Sequence, residues 1–337
     1  MGLSTHKDVT NGVPGRGFHS FKLIEDSLDR VRDLINAQLA VSVNADEISR
    51  LIEYTNARSG KMLRPGLVLL AGSAVGQITD EHIRVAAIME IIHNATLLHD
   101  DVIDEGQKRR GMPTINKLWG NESAVILGDF LLSRVLKMCP FLNPQALNMI
   151  AFAATRTCEG ELRQVIQRRN WQLSEMEYID IITEKSAAFF SGCCGVGALL
   201  AGASESQLKS LESFGLNTGI TFQITDDLLD LTADEKQTGK TAGSDVNKNK
   251  LTLAIIHLLS VINDKEKDKI HEVLSRTDGS GKNALLEMLR KHGSLKYAQN
   301  QALEYLNKAL SCLDDLRHSD AKDALIETAK FMADIER

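Results

Sequence analysis

The chain has 337 residues, 43% of them hydrophobic, and a net charge of −6. It can bury a large core, but it carries no general basic field for nucleic acid or an anionic membrane, so any recognition of phosphate must be local. Its five cysteines show neither zinc-ligand spacing nor the density of a disulfide framework, and neither a signal-like apolar core nor a membrane-length apolar run is present, which points to a reducing, cytoplasmic setting.

Residues 1–17 read as a flexible tail, because Asn11-Gly12, Pro14-Gly15 and Gly17 break any period, and residues 18–337 read as one all-helical domain. Helical periods run from Phe18 to about Val43 and from Asp46 to Ala57. Gly60 then stops one helix and Pro65 suits the first turn of the next, which puts Lys61 and Arg64 beside a helix N-terminus, where cations and free N–H groups can bind an anion together. Taken alone, the pair reads more readily as ordinary surface charge.

From Thr79, a plausible N-cap, a strongly apolar helix is expected to run to Asp104. Its end reads His93-Asn-Ala-Thr-Leu-Leu-His-Asp100-Asp101-Val-Ile-Asp104, followed by Arg109-Arg110-Gly111. In a helix Asp100 and Asp104 share a face one turn apart and Asp101 points elsewhere. Such carboxylates repel unless a cation sits between them, and an all-oxygen set suits Mg²⁺, which completes its shell with water and substrate phosphate. Arg109 and Arg110 add guanidinium forks that match phosphate oxygens. Ile91, Ile92, Leu97, Leu98, Val102 and Ile103 surround the acids with apolar surface, and buried carboxylates need partners. His93 lies two turns before Asp100, although a lone histidine on an apolar helix is more often a core residue than a ligand.

After the loop Gly106 to Pro113, helices are expected over Asn116–Met138, Gln145–Trp171 and Ser174–Leu200. The last carries Lys185 and Ser186 before a run of small residues in which Gly192 and Gly195 would bend it. The next helix, Ser206 to Leu231, ends in a second acid cluster, Gln223-Ile-Thr-Asp226-Asp227-Leu-Leu-Asp230, and Lys240 and Lys250 follow in a loop. Gly239-Lys240-Thr241 is not a phosphate-binding P-loop, because Asp234 stands where a glycine is required and no β-run precedes it. Amphipathic helices close the chain at Leu251–Ile262, Asp264–Ser275, Ala284–Cys312 and Ala321–Ile335. No stretch alternates with period two, so the fold is expected to be all-α, a single large helical bundle with a central cleft between two aspartate-rich helix ends.

Opposed carboxylates of this kind can hold several Mg²⁺ ions on one diphosphate and make it a leaving group. Apolar helix surfaces above the acids would give a hydrocarbon chain a dry channel. No protein nucleophile is needed, and no evident Ser/His/Asp or Cys/His arrangement is present.

These residues resemble the all-trans isoprenyl (polyprenyl) diphosphate synthases over about residues 55–255. The likeness rests on Gly60-Lys61-x-x-Arg64-Pro65, the first aspartate cluster with Arg109-Arg110-Gly111, Gly128-Asp129, Lys185, Phe222-Gln223-x-x-Asp226-Asp227-x-x-Asp230, and Lys240 through Lys250. It implies an isoprenoid-synthase bundle in which Asp100, Asp104, Asp226 and Asp230 bind a cluster of about three Mg²⁺ ions. Asp227, Lys185 and Lys240 would join these four in the catalytic set. The same likeness implies that Arg109, Lys185, Ser186, Gln223, Lys240 and Lys250 contact the allylic diphosphate. Lys61, Arg64, His93 and Arg110 would bind isopentenyl diphosphate, whose alkene attacks the allylic cation. Ser59, Ser186, Asn249 and Ala254 depart from the commonest family pattern, which has glycine, threonine, glycine and proline there.

Ala95 and Thr96, one turn before Asp100, are small where short-chain members carry aromatic floors. The pair resembles the octaprenyl type and implies a product of roughly seven to ten isoprene units, since each cleared helical turn adds about 5.4 Å of depth. The resemblance further implies a homodimer and a quinone side-chain precursor delivered to a membrane without an anchor. A short-chain farnesyl or geranylgeranyl diphosphate synthase is the nearest alternative. A non-catalytic partner subunit would characteristically have lost metal-motif aspartates, and a terpene cyclase would leave Lys61, Arg64 and Arg110 without a second substrate.

Overall fold

A computed structural model describes residues 19–40, 46–56, 60–232, 250–275 and 281–334. The expected N-terminal tail, Ser59, Lys240, the Gly239-Lys240-Thr241 stretch and Asn249 lie outside the described residues.

The first apolar run opens with a short 3-10 turn, His19–Ile24, before α1 (Glu25–Leu39). Leu28, Val31, Ile35 and Leu39 form its buried stripe, the spacing of a helix packed on one face. Leu23, from the same apolar series, is exposed. α2 (Asp46–Asn56) and α3 (Leu63–Val75) follow, and α3 starts just after Met62, whose φ is 54°. Residues 65 to 72 of α3 are all buried, so this helix is enclosed on every side.

α4 (Asp80–Ile103) is the long apolar helix expected from Thr79. Its cap is completed by His82 rather than by the neighbouring acids: Thr79 N donates to His82 Nδ1 at 3.1 Å, and His82 Nε2 lies 3.1 Å from Gly197 O. Because Nδ1 accepts, the ring proton belongs on Nε2 and is donated to Gly197 O. The expected loop from Gly106 to Pro113 contains a small hairpin, β1 (Lys108–Arg109) against β2 (Met112–Pro113), with Arg109 paired to Met112. Its two-residue turn, Arg110-Gly111, has φ of 54° and 77°, the double positive φ of a type I′ turn, which glycine accepts without strain.

α5 (Ile115–Met138) is kinked at Gly120, and α6 (Pro144–Ile166) stops short of Trp171. The segment expected as one helix from Ser174 to Leu200 is α7 (Glu175–Ile182) joined to α8 (Ala188–Leu200) through a π-turn, Thr183–Ala187. The departure from α geometry thus falls at Lys185 and Ser186 and not at Gly192 and Gly195, which seat neighbouring helices: a Cβ on Gly192 would meet Ala153 Cβ at 2.8 Å. α9 (Glu205–Thr232) is the second acid-ended helix.

The C-terminal part contains α10 (Leu253–Val261), α11 (Asp264–Ser275), α12 (Lys282–Lys291), α13 (Ser294–Ser311) and α14 (Asp320–Met332). The helix expected over Ala284–Cys312 is broken at Gly293, whose φ is 70°. One buried cluster joins α1, α3, α4, α5, α6, α8 and α14, and a second joins α7, α9, α10, α12 and α13. α9 packs on both α8 and α13, giving Leu211 and Phe214 to the first cluster and Ile224, Leu228 and Leu231, which flank its acids, to the second. The fold is all-α, and no described helix is long and apolar enough to cross a membrane.

Candidate active site

Asp100 falls in the last turn of α4, and Asp104 is its C-cap; Asp226 and Asp230 fall in the last turns of α9. Carboxylates at a helix C-terminus oppose the negative end of the macrodipole, so neither cluster favours its own helix. Burial pushes the Asp100 carboxyl up to about 6, against the pull of Lys185 and Arg109 and with the push of Glu161 and Asp104. Arg109 feels Asp100 and Asp226 together, and Arg64 also feels Asp226. The two acid ends therefore share one electrostatic site.

The middle aspartate of each cluster holds cations. Asp101, 4% exposed, accepts from Arg109 Nε at 2.9 Å and lies 2.8 Å from its Nη2. Burial works against the Arg109 cation, but Asp101, helped by Asp100 and Asp226, more than offsets it. Asp227, 3% exposed, accepts from Tyr178 Oη on one oxygen at 2.7 Å. Its other oxygen takes Gln223 Nε2 at 2.8 Å and Lys250 Nζ at 3.2 Å. Gln223 Oε1 accepts in turn from Ser186 Oγ at 2.7 Å. Of the residues expected around the allylic diphosphate, Ser186, Gln223 and Lys250 thus form one linked group with Asp227, and Arg109 reaches both acid clusters.

Lys185 is held by α6. It pairs with Glu161 and donates to Gln164 Oε1 at 2.6 Å. Asp104 pairs with Arg168 at 2.9 Å. Glu161, Gln164 and Arg168 were not singled out from sequence, although residues three and seven apart across a helix end form one stripe. A charged stripe on a helix otherwise reads as a solvated face. Gly160 allows the contact, because a Cβ there would stand 2.2 Å from Lys185 N. Behind it, Arg156 and Arg163 clamp buried Glu184 at 2.8 and 3.3 Å.

Of the residues expected to bind isopentenyl diphosphate, Arg64, His93 and Arg110 act on one another near the hairpin turn. The Arg110 guanidinium lies where a Cβ on Gly60 would be, 2.3 Å from its Nη2. Arg64 sits 4.8 Å from the centre of the Phe190 ring with its buried Nε lacking a hydrogen-bond partner. Burial, then the charges of Arg64, Arg110 and Arg109, hold His93 well below the ordinary histidine range, so it is a neutral imidazole at physiological pH. Lys61 stands apart, exposed and 4.3 Å over the Phe331 ring. Ala95 is fully enclosed, and the Thr96 hydroxyl turns back onto His93 O at 2.8 Å.

Known proteins resemble this chain over most of its length. The polyprenyl synthetase family profile matches residues 45–291. Octaprenyl diphosphate synthase from Escherichia coli is 34% identical over 309 residues, 90% of this chain and 95% of that protein. A short chain isoprenyl diphosphate synthase from Methanothermobacter thermautotrophicus is 31% identical over 320 residues, 94% and 97% of the two chains. The fold matches the crystal structure of a polyprenyl synthase from Caulobacter crescentus, complexed with calcium and isoprenyl diphosphate, with a TM-score of 0.88, 31% identity and coverage of 94% and 97%. This all-helical chain, matched over most of its length by these proteins, belongs to the polyprenyl synthetase family and is a prenyltransferase, a polyprenyl diphosphate synthase.

Proposed function

We propose that this enzyme is a Mg²⁺-dependent long-chain synthase. It would condense isopentenyl diphosphate repeatedly onto an allylic diphosphate to give a product near eight isoprene units, a range supported by one cleared helical turn above Asp100. The observation that carries the site is that Arg109 pairs with Asp101 and feels both Asp100 and Asp226, which would give one diphosphate access to both acid clusters. Asp100, Asp104, Asp226 and Asp230 would hold the metal. Among the described residues no three His, Cys, Asp or Glu side chains converge closely enough to ligate one ion. This chemistry fits Mg²⁺, which takes one or two carboxylates and fills its shell with water and phosphate oxygens. Bound Mg²⁺ supplies neutralisation of the charge that builds on the departing diphosphate.

The chain's own residues then bind and orient. Arg109, Lys185 and Gln223 would grip the allylic diphosphate, with Ser186 and Lys250 beside them and Lys240 completing the set. Arg64, Arg110 and neutral His93 would hold isopentenyl diphosphate, with Lys61 at the rim. The C1–O bond of the allylic substrate breaks, the alkene of the second substrate forms the new C–C bond, and the proton lost goes to the released diphosphate. Lys61, Arg64 and Arg110 favour this reading over one with a single substrate.

Purified enzyme given Mg²⁺, farnesyl diphosphate and labelled isopentenyl diphosphate is expected to yield a ladder of alcohols ending near eight units. Products stopping at three or four units would establish the short-chain alternative. Ala95→Phe is expected to shorten the main product by at least about one unit, since the ring would fill roughly one turn of depth; an unchanged ladder would remove Ala95 from the channel. Because a carboxylate must shed its proton to bind metal and the Asp100 carboxyl sits at about 6, Mg²⁺ affinity is expected to fall as pH drops below that value. Calorimetric titrations between pH 5 and 8 would show it.

A homodimer is supported by the outer faces of α5 and α6, where Ile126, Leu136, Phe152, Leu162 and Ile166 are each at least 65% exposed, more apolar surface than a lone chain usually presents. Sedimentation of the purified chain tests it. Cytoplasmic production of a quinone side-chain precursor completes the proposal.

A further inference from the structure

We propose that Tyr178 is a positioning residue for the allylic diphosphate, acting through Asp227 and Gln223. This rests on the reading of the site given above. Tyr178 lies on α7 with 2% of its surface exposed, too deep to meet a substrate itself. Its hydroxyl donates to Asp227 Oδ2 at 2.7 Å, which leaves Oδ1 to Gln223 Nε2 at 2.8 Å and Lys250 Nζ at 3.2 Å.

An ionised carboxylate can only accept, so Gln223 must turn its amide nitrogen toward Asp227 and its oxygen toward Ser186, and the Ser186 hydroxyl donates to that oxygen at 2.7 Å. The orientation of Gln223 is thereby fixed, and the second N–H of Nε2 is left to be donated elsewhere. A diphosphate oxygen is the acceptor that this site would offer it. The whole chain of bonds depends on Asp227 keeping one rotamer in a place almost closed to water. Without the Tyr178 hydroxyl, Oδ2 loses that donor, and a buried acceptor deprived of a donor is costly enough to turn the carboxylate toward another. Gln223 would then be free to flip its amide and present an oxygen to an anion.

The competing reading is that Tyr178 is a core side chain whose hydroxyl merely needs an acceptor. The two differ in kinetics. Tyr178→Phe removes one oxygen and keeps the ring. It is expected to raise KM for the allylic diphosphate about tenfold, the size of one charge-assisted hydrogen bond, while KM for isopentenyl diphosphate stays within about twofold. In a Gln223→Met background the same substitution is expected to have no further effect on the allylic KM, because its route has been removed. A purely structural role would raise both KM values alike, or give the same loss in both backgrounds, and either result would overturn the proposal.

A measurement free of turnover guards against confusion with the reading of the site. In protein labelled with 15N-glutamine, the Gln223 side-chain amide, identified by its disappearance in Gln223→Met, is expected to exchange slowly with solvent in the wild type and rapidly in Tyr178→Phe. Equal exchange rates would sink the proposal even if the wild type is active. An inactive wild type with the expected exchange difference would keep the Tyr178–Asp227–Gln223 link and overturn the substrate assignment instead. If Tyr178→Phe fails to fold, Asp227→Asn is the substitute: it preserves an acceptor for Tyr178 but presents an amide nitrogen to Gln223, and is expected to show the same selective rise in allylic KM and the same rapid exchange.

Discussion

Asp100→Asn is expected to lower turnover about a thousandfold or more and, at the same time, to make the protein more heat-stable. The loss would follow from removing a proposed metal ligand where charge develops on a leaving diphosphate. The gain follows from the apo state: burial lifts the Asp100 carboxyl to about 6, with Glu161 and Asp104 adding repulsion. A carboxyl raised above its unfolded value of 3.8 holds its proton longer when folded, so the unfolded chain ionises first. Between roughly pH 4 and 6 this group therefore lowers stability as pH rises, and above that window its cost is constant. The amide carries no such cost. Lys185 keeps Glu161 and Gln164, so no buried cation is abandoned. A gain of ~1 kcal/mol would raise the unfolding midpoint by about 2 °C in a chain of this size. Calorimetry without metal at pH 5 and pH 7.5, beside a turnover assay, checks both halves. A variant with lower stability at pH 7.5, or with turnover near that of the wild type, would contradict the assignment of Asp100.

Gly160→Val is expected to damage fold and chemistry together. A Cβ at this position would lie 2.2 Å from Lys185 N, 2.6 Å from Lys185 Cα and 2.8 Å from Glu184 C. All three are backbone atoms that no rotamer change can move aside, so α6 and the π-turn must separate. Overpacking of this kind costs typically ~1–3 kcal/mol and sometimes more. Separation would also pull Lys185 from Glu161 and Gln164, and Glu184 from Arg156 and Arg163. Turnover is expected to fall about a hundredfold, since misplacing a binding group by around 1 Å has that scale of effect. Gly160→Ala should show a smaller version of both losses. Normal melting and turnover in Gly160→Val would mean that this contact is not needed.

The parts of the site that were legible in sequence are those that a local period encodes. Asp100 with Asp104, and Asp226 with Asp230, declare a shared face through spacing alone, and the apolar runs before them declare the helices. Asp101 could be set on another face for the same reason. Its task could not be read, because the partner, Arg109, is brought back to it by a hairpin whose two-residue strands are too short to show a period. The acids and amides of α6 were illegible for a different reason. Glu161 and Gln164 on α6, and Arg168 just past its end, have the spacing of any solvated stripe, and only their contacts with Lys185 and Asp104 draw them part-way out of solvent. The break at Gly293 went unread because periodic apolar residues continue across it, and one positive φ is enough to end a helix. Lys61 had the right spacing and neighbours, yet its side chain rests over Phe331 at the far end of the chain, a contact that no local pattern announces.

The turn from Thr183 to Ala187 has a meaning for how this chain tolerates changes in length. A π-turn is an α-helix with one residue inserted, so α7 and α8 are out of phase by about one position, or roughly 100° around the axis. Deleting a single residue there would restore an ordinary helix from Glu175 to Leu200. It would also rotate the α7 face bearing Tyr178 away from α9 relative to the α8 face bearing Phe189 and Phe190. Such a deletion could leave a well-formed helix that no longer delivers Lys185 and Ser186 to the acids. Insertions and deletions confined to these five residues should therefore cost chemistry as well as packing, since Tyr178, Ile181 and Ile182 belong to the buried core.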